Sequence, residues 1–223
     1  MSCALRWEQA ASLFAGVRTQ QGEYVALALE FQGGGEGTFV VDTAASSTLL
    51  TPAAEARLQP AKTGVTAGPG VAGTGATAAS YQVALGAARL VGGGEALLPA
   101  LNAVVMELPT GAGTSGILGL DFLNAFDAVE LDWRERPGKA RFVARNACTA
   151  ASWAALTDGL SEALLRPIGM GLLAADVDIG GVRMPALLDT GAAFSTLNDA
   201  AAAAVGLKGD SGIEPMWVTG GTY

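Results

Sequence analysis

Val25-Ala-Leu-Ala-Leu-Glu-Phe-Gln-Gly-Gly-Gly-Glu-Gly-Thr-Phe-Val-Val-Asp42 and Leu172-Leu-Ala-Ala-Asp-Val-Asp-Ile-Gly-Gly-Val-Arg-Met-Pro-Ala-Leu-Leu-Asp189 align without a gap at a constant offset of 147. Each stretch reads as a strand, a glycine turn, an apolar strand and then Asp-Thr. The match continues through Asp42-Thr-Ala-Ala-Ser-Ser-Thr-Leu-Leu50 and Asp189-Thr-Gly-Ala-Ala-Phe-Ser-Thr-Leu197. Both copies then enter a predicted helix, Pro52 to Leu58 behind Thr51 and 199–205 behind Asn198, each with a good N-cap residue. The same offset carries Val71-Ala72-Gly73 onto Val218-Thr219-Gly220. An internal repeat of this kind is read before any fold is assigned, because it sets the architecture.

Outward from the repeat, short runs with strand character lie between glycine clusters, at 24–31, 38–41, 81–85, 103–106, 129–133 and 141–143. Regular short strands punctuated by turn signals point to an all-β fold. Half of the 223 residues are hydrophobic and 15% are charged, enough for a sizeable core and too apolar for wholesale disorder. The chain has no histidine, which excludes Ser-His-Asp and Cys-His catalysis and any metal site that needs an imidazole. Cys3 and Cys148 are too few for a four-cysteine zinc site, and with no histidine to lower a thiol pKa they read as inert buried thiols. No metal and no cofactor are expected. A net charge of −8 argues against nucleic acid as a partner. No run approaches the ~20 apolar residues of a membrane-spanning helix, so no membrane partner is expected. No basic end followed by a continuous apolar run opens the chain, so no secretory signal is visible and a soluble intracellular protein is the expectation.

An apolar strand ending in Asp-Thr-Gly-Ala and followed by Ser/Thr and Leu resembles the active-site loop of aspartic proteases. Asp189-Thr190-Gly191-Ala192 fits that loop fully, and Asp42-Thr43-Ala44-Ala45 fits with alanine in place of the glycine. Gly116-Ile117-Leu118-Gly119-Leu120-Asp121-Phe122-Leu123 resembles the second signature of the family, a hydrophobic pair, a glycine and a short helix. Alanine after the motif, Ala45 and Ala192, is similar to retropepsins. The resemblance implies an acid-protease fold with one complete retropepsin-like, β-barrel-like unit at 1–148 and a truncated second repeat at 149–223.

It also implies the chemistry. Peptide hydrolysis without a metal or a covalent nucleophile needs a base for water and an acid for the leaving amine. Two carboxylates close enough to share a proton serve as both, because repulsion between like charges leaves one ionised and the other protonated. Each repeat supplies one aspartate, so Asp42 and Asp189 are the expected catalytic pair of an aspartic-type endopeptidase. Thr43 and Thr190 are expected to brace the loops, with Ala44 and Gly191 completing them. Glycine at 191 allows close approach to the pair. Glycine-rich hairpins around Gly70, Gly73 and Gly75, and around Gly220 and Gly221, are expected to be flaps over an extended peptide or protein substrate. Ile117, Leu118 and Gly119 read as a structural motif, two core residues and a glycine where backbones pass closely. The pair would form within one chain as a pseudo-dimer, or between two copies of the first unit in a homodimer.

Two departures bear on competence. Ala44 replaces the motif glycine, and alanine costs about 1 kcal/mol if that position needs positive φ. The second copy stops early, since the counterpart of Ile117 falls beyond Tyr223. The alternative reading is therefore a catalytically inactive peptide-binding module on the same fold. A blander one is a small β-domain used only for assembly, with no cleft at the Asp42 loop.

Overall fold

The computed structural model describes residues 11–12, 18–19, 22–66, 80–92, 97–108, 113–132, 139–145, 161–192 and 194–207. Both cysteines lie outside these residues. The expected strands are present, all but the first of them longer than read from sequence. Strand β1 (Ala26–Phe31) and strand β2 (Glu36–Val41) form the first hairpin, with Ala26 opposite Val40. Its turn is closed by the Phe31 amide donating to the Gly35 carbonyl at 3.0 Å, and Gly34 and Gly35 both take positive φ. Strand β3 (Leu49–Leu50) follows the Asp42 loop. Helix α1 (Pro52–Leu58) begins where expected: Thr51 accepts from the Ala54 amide, and Pro52 sits in the first turn, where no amide is needed. The helix ends at Gln59 in the left-handed region.

Strand β4 (Ala61–Thr66) and strand β5 (Ser80–Leu90) pair antiparallel, with Thr66 opposite Ser80. Strand β6 (Leu98–Val105) returns along β5. Strand β7 (Gly116–Leu118) is three residues long and holds the topology together. It runs parallel to β2 (Val41 opposite Leu118) and antiparallel to β3 (Ile117 opposite Leu49). With β3 parallel to β6, and β5 pairing back to β1, the order β1-β2-β7-β3-β6-β5 closes into a six-stranded barrel. Closure removes the open edges that a sheet of this size would otherwise present.

The core follows from the alternation of the strands. Leu27, Leu29, Phe39, Val41, Leu50, Val83 and Leu118 are all essentially inaccessible to solvent. Phe31 packs edge-to-face on Phe39, with centroids 5.9 Å apart, a favoured aromatic geometry. Gly116 is required where β7 enters the barrel, because a Cβ there would lie 2.0 Å from the Leu49 carbonyl oxygen.

Helix α2 (Leu120–Leu123) leads from β7 to strand β8 (Phe126–Asp132), which pairs with strand β9 (Lys139–Ala144). Phe122, Phe126 and Phe142 pack mutually there, with centroids 4.9 to 5.7 Å apart. A separate three-stranded sheet comprises β10 (Arg166–Pro167), β11 (Leu173–Ile179) and β12 (Val182–Leu187). Gly180 and Gly181, both at positive φ, form the two-residue turn between β11 and β12. Helix α3 (Asp199–Ala204) is capped by Asn198, as expected.

Candidate active site

Strand β2 delivers Asp42 directly after Val41, and β12 delivers Asp189 two residues after Leu187. The Asp42 amide donates to the Leu118 carbonyl at 3.0 Å, so β7 holds the base of the first loop. The Asp42 carboxylate turns back on its own loop, where its Oδ1 accepts from the Ala44 amide at 2.7 Å and the Ala45 amide at 3.1 Å. In the second loop the Asp189 Oδ1 accepts from the Gly191 amide at 2.8 Å. Each aspartate thus folds its loop into a tight turn.

The two loops interlock. The Thr43 amide donates to Thr190 Oγ1 at 3.1 Å, and the Thr190 amide donates to Thr43 Oγ1 at 3.1 Å. Thr43 Oγ1 in turn donates to the Leu188 carbonyl at 2.6 Å, and Thr190 Oγ1 donates to the Val41 carbonyl at 2.7 Å. Exchanging each residue for the one 147 positions away maps the first bond of each pair onto the second. The arrangement is therefore two-fold symmetric at the hydrogen-bond level. Each hydroxyl both donates and accepts, which only serine or threonine can do here without a charge.

This interlock sets the carboxyl groups against each other. A Cβ at Gly191 would lie 2.4 Å from the Asp42 Cγ and 2.5 Å from its Oδ2, so the Asp42 carboxyl rests on the bare Cα of Gly191. The glycine is required for space. Its φ lies outside the left-handed region, and so does that of Ala44. The possible backbone penalty at Ala44 is accordingly absent. Burial, first, and then the neighbouring Asp189 charge push the Asp42 pKa up to about 6, against the pull of the Ala44 and Ala45 amides. Asp42 therefore keeps its proton to a higher pH than an ordinary aspartic acid does.

Ile117, Leu118 and Gly119 sit where the Asp42 loop meets β7, with Ile117 and Leu118 buried. A Cβ at Gly119 would lie 2.5 Å from the Ser47 carbonyl carbon and 2.8 Å from the Ala45 oxygen, so the backbones do pass closely there. Two further residues, not singled out from sequence, complete this support. Asp121 Oδ2 accepts from the Thr48 amide at 2.9 Å, and its Oδ1 accepts from Thr48 Oγ1 at 2.8 Å. Thr48 Oγ1, fully buried, also accepts from the Gly119 amide at 3.2 Å. The Asp121 carboxylate thereby clamps the far end of the Asp42 loop to the start of α2. The signal was present as an acid two residues after the motif glycine, facing a threonine six residues after Asp42.

Gly70, Gly73, Gly75, Gly220 and Gly221, the glycines expected to form flaps, lie outside the described residues. Strands β4 and β5, on either side of the first of these segments, pair up to Thr66 and Ser80. Among the described residues no three His, Cys, Asp or Glu side chains come together as a metal cage requires. Beyond the interlock the second loop is more open than the first. Leu187 and Leu188 are 36% and 44% exposed, whereas their counterparts Val40 and Val41 are 3% and 1% exposed. Among the described residues β12 pairs only with β11, while β2 is flanked by both β1 and β7.

A closed barrel that presents one Asp-Thr loop, knit through its threonine to a second such loop, defines a retropepsin-like aspartic protease. The chain belongs to the aspartyl protease family, whose family model matches residues 27–122 and 175–222, well over half of the chain. Among solved structures, a retropepsin-like aspartic protease from Rickettsia conorii is similar at 15% identity, with a TM-score of 0.40, over 59% of this chain and 89% of that one. No curated protein matches the chain.

Proposed function

We propose that this protein is an aspartic-type endopeptidase in which Asp42 and Asp189 activate one water molecule between them. The observation that carries the reading is the Asp42 carboxyl lying on Gly191 beside Asp189, with its pKa pushed up to about 6. At mildly acidic pH Asp42 holds the proton, and Asp189 serves as the base. Water attacks the peptide carbonyl carbon as Asp189 takes a proton from it and Asp42 gives its proton to the carbonyl oxygen. Asp189 then passes its proton to the amide nitrogen, Asp42 recovers one from the tetrahedral diol, and the C–N bond breaks. The net reaction is amide plus water to acid plus amine, and both carboxyls return to their starting states.

In this reading the chain comprises a complete unit at 1–148 and a partial second repeat at 149–223. Support comes from the alignment at an offset of 147 and from interlock bonds that respect the same offset. The pair then forms within one chain. The substrate is an extended peptide or protein segment, lying across the two loops. Thr43 and Thr190 hold the loops together, and Ala44 and Gly191 floor the site.

The test is cleavage of an unstructured protein substrate across pH, by the wild-type chain and by Asp189→Asn. Wild type is expected to cleave below neutral pH, and the variant is expected to lose activity by at least about a hundredfold, the scale of one acid–base role. Full retention of activity by the variant sinks the mechanism. A statine-containing peptide separates protease from passive binder, because a working dyad holds it far more tightly than the matching plain peptide.

A further inference from the structure

We propose that Ala44 is a positioning residue whose methyl group makes the two aspartates inequivalent, so that Asp42 alone takes the inner, proton-holding position. The argument starts from the two-fold relation of the loops, which maps Gly191 onto Ala44 and Asp42 onto Asp189. The Asp42 carboxyl occupies the place where a Cβ of residue 191 would be, 2.4 Å from its Cγ. Under the same symmetry operation an Asp189 carboxyl in the equivalent place would lie 2.4 Å from the Ala44 Cβ. Real side chains do not approach that closely, and Ala44, unlike Gly191, has this carbon. Asp189 is thereby kept out of the mirror-image position.

The remaining contacts have the same asymmetry. Asp42 Oδ1 gathers two loop amides, those of Ala44 and Ala45, and its carboxyl is the one nested on bare backbone. Among the described residues the titratable group acting on Asp42 is Asp189, and the other influences are those two amides and burial. A dyad with glycine on both sides lets the shared proton reside on either carboxyl. With alanine on one side only, the proton has a fixed home and the direction of the relay is set: Asp189 is always the base toward water. The consequence for turnover rests on the proteolytic reading above, but the inequivalence can be measured without any turnover.

The experiment is a pH titration of the full chain with carboxyl-carbon-labelled aspartate, followed by NMR. The two signals are assigned through Asp42→Asn and Asp189→Asn. In wild type the step near pH 6 is expected on the Asp42 signal alone. In Ala44→Gly the same step is expected to be shared between both signals, as for a coupled pair with interchangeable sites. In the exchanged double variant Ala44→Gly, Gly191→Ala it is expected to move to Asp189. The rival cause is the deeper burial of the first loop, which Ala44→Gly leaves in place. If the step stays on Asp42 alone in Ala44→Gly, the proposal is overturned, and this single variant decides the matter where the double one does not fold. Peptide hydrolysis measured on the same samples reports on the protease reading separately.

Discussion

Replacing Thr190 by valine tests whether the threonine interlock holds the two loops together. Valine keeps the branched shape and removes only the hydroxyl, so packing is nearly unchanged. Two bonds disappear: Thr190 Oγ1 to the Val41 carbonyl at 2.7 Å, and the Thr43 amide to Thr190 Oγ1 at 3.1 Å. Both bonds are partly buried, so the stranded amide and carbonyl are incompletely rehydrated. A lost hydrogen bond costs about 1 kcal/mol, and each stranded buried group costs roughly 1–3 kcal/mol. The sum for this site is about 3 kcal/mol. With a urea dependence of roughly 2 kcal/mol per molar, the unfolding midpoint falls by about 1.5 M. Thr190→Ser retains both bonds and is the control, expected within about 1 kcal/mol of wild type. By the two-fold relation Thr43→Val should fall by a similar amount. Equal midpoints for Thr190→Val and Thr190→Ser would mean that the hydroxyl contributes nothing and that the loops are held by something else.

Four further outcomes follow from the same geometry. The raised pKa of Asp42 means that the folded state binds its proton more tightly than the unfolded chain, so the associated stability is full below about pH 4 and is lost as pH rises through about 6. Asp42→Asn should therefore unfold at higher urea than wild type at pH 7, by up to roughly 3 kcal/mol, with the gap closing by pH 4; a gap independent of pH refutes the assignment. For the same reason kcat/KM for peptide cleavage should decline as pH rises past about 6, where Asp42 loses its proton, and a flat profile up to pH 8 contradicts it. Gly116→Ala forces a Cβ to 2.0 Å from the Leu49 oxygen and should yield no folded protein, whereas Gly33→Ala meets nothing within 4 Å and should be near neutral in a thermal melt. Asp121→Ala frees the Thr48 amide and hydroxyl, and should cost about 2–4 kcal/mol by chemical unfolding while leaving the aspartate pair chemically intact.

The two Asp-Thr loops were legible because their sequence signal is local and duplicated. Asp-Thr with a small residue behind an apolar strand occurs twice at one spacing, and the structure brings both loops into contact. Helix α1 was legible for a similar reason, since Thr51 and Pro52 carry its start in two adjacent residues. Strand β7 was not legible as a strand. Three residues give no periodicity, and its partners lie far away in sequence, Phe39 and Leu49 among them. The β5 strand was foreseen only over 81–85 because the register shifts at Gly86 break its alternation, although pairing continues to Leu90. Asp121 escaped notice because a single acid near a helix start is an ordinary N-terminal residue until its threonine partner is known. The possible backbone penalty at Ala44 turned on a φ that no sequence states, and space proved to be what the motif glycine supplies.

The interlock also bears on how the second sheet is held. Among the described residues, β11 and its approach contribute few fully buried side chains, Leu172 and Ala174, while Leu187, Leu188, Phe194 and Leu197 are exposed. At about 25 cal/mol per Å² of apolar burial, so small a core contributes little toward the conformational entropy of ordering its strands. The barrel has a large buried core, against which Leu172 also packs. The four threonine bonds cross between the two parts and link residues 145 to 149 positions apart, so none of them can form until both loops are ordered. Their formation therefore couples the order of the second sheet to that of the barrel. The aspartate pair exists only in the joined state, and the repulsion between its carboxyls opposes the joining wherever both are ionised. Acid that protonates Asp42 thus favours the same assembled state that the proposed chemistry requires, and hydrogen exchange at the Thr43 and Thr190 amides should slow together as pH falls through 6, beyond the intrinsic pH effect on exchange. Slowing of one amide without the other would break the link.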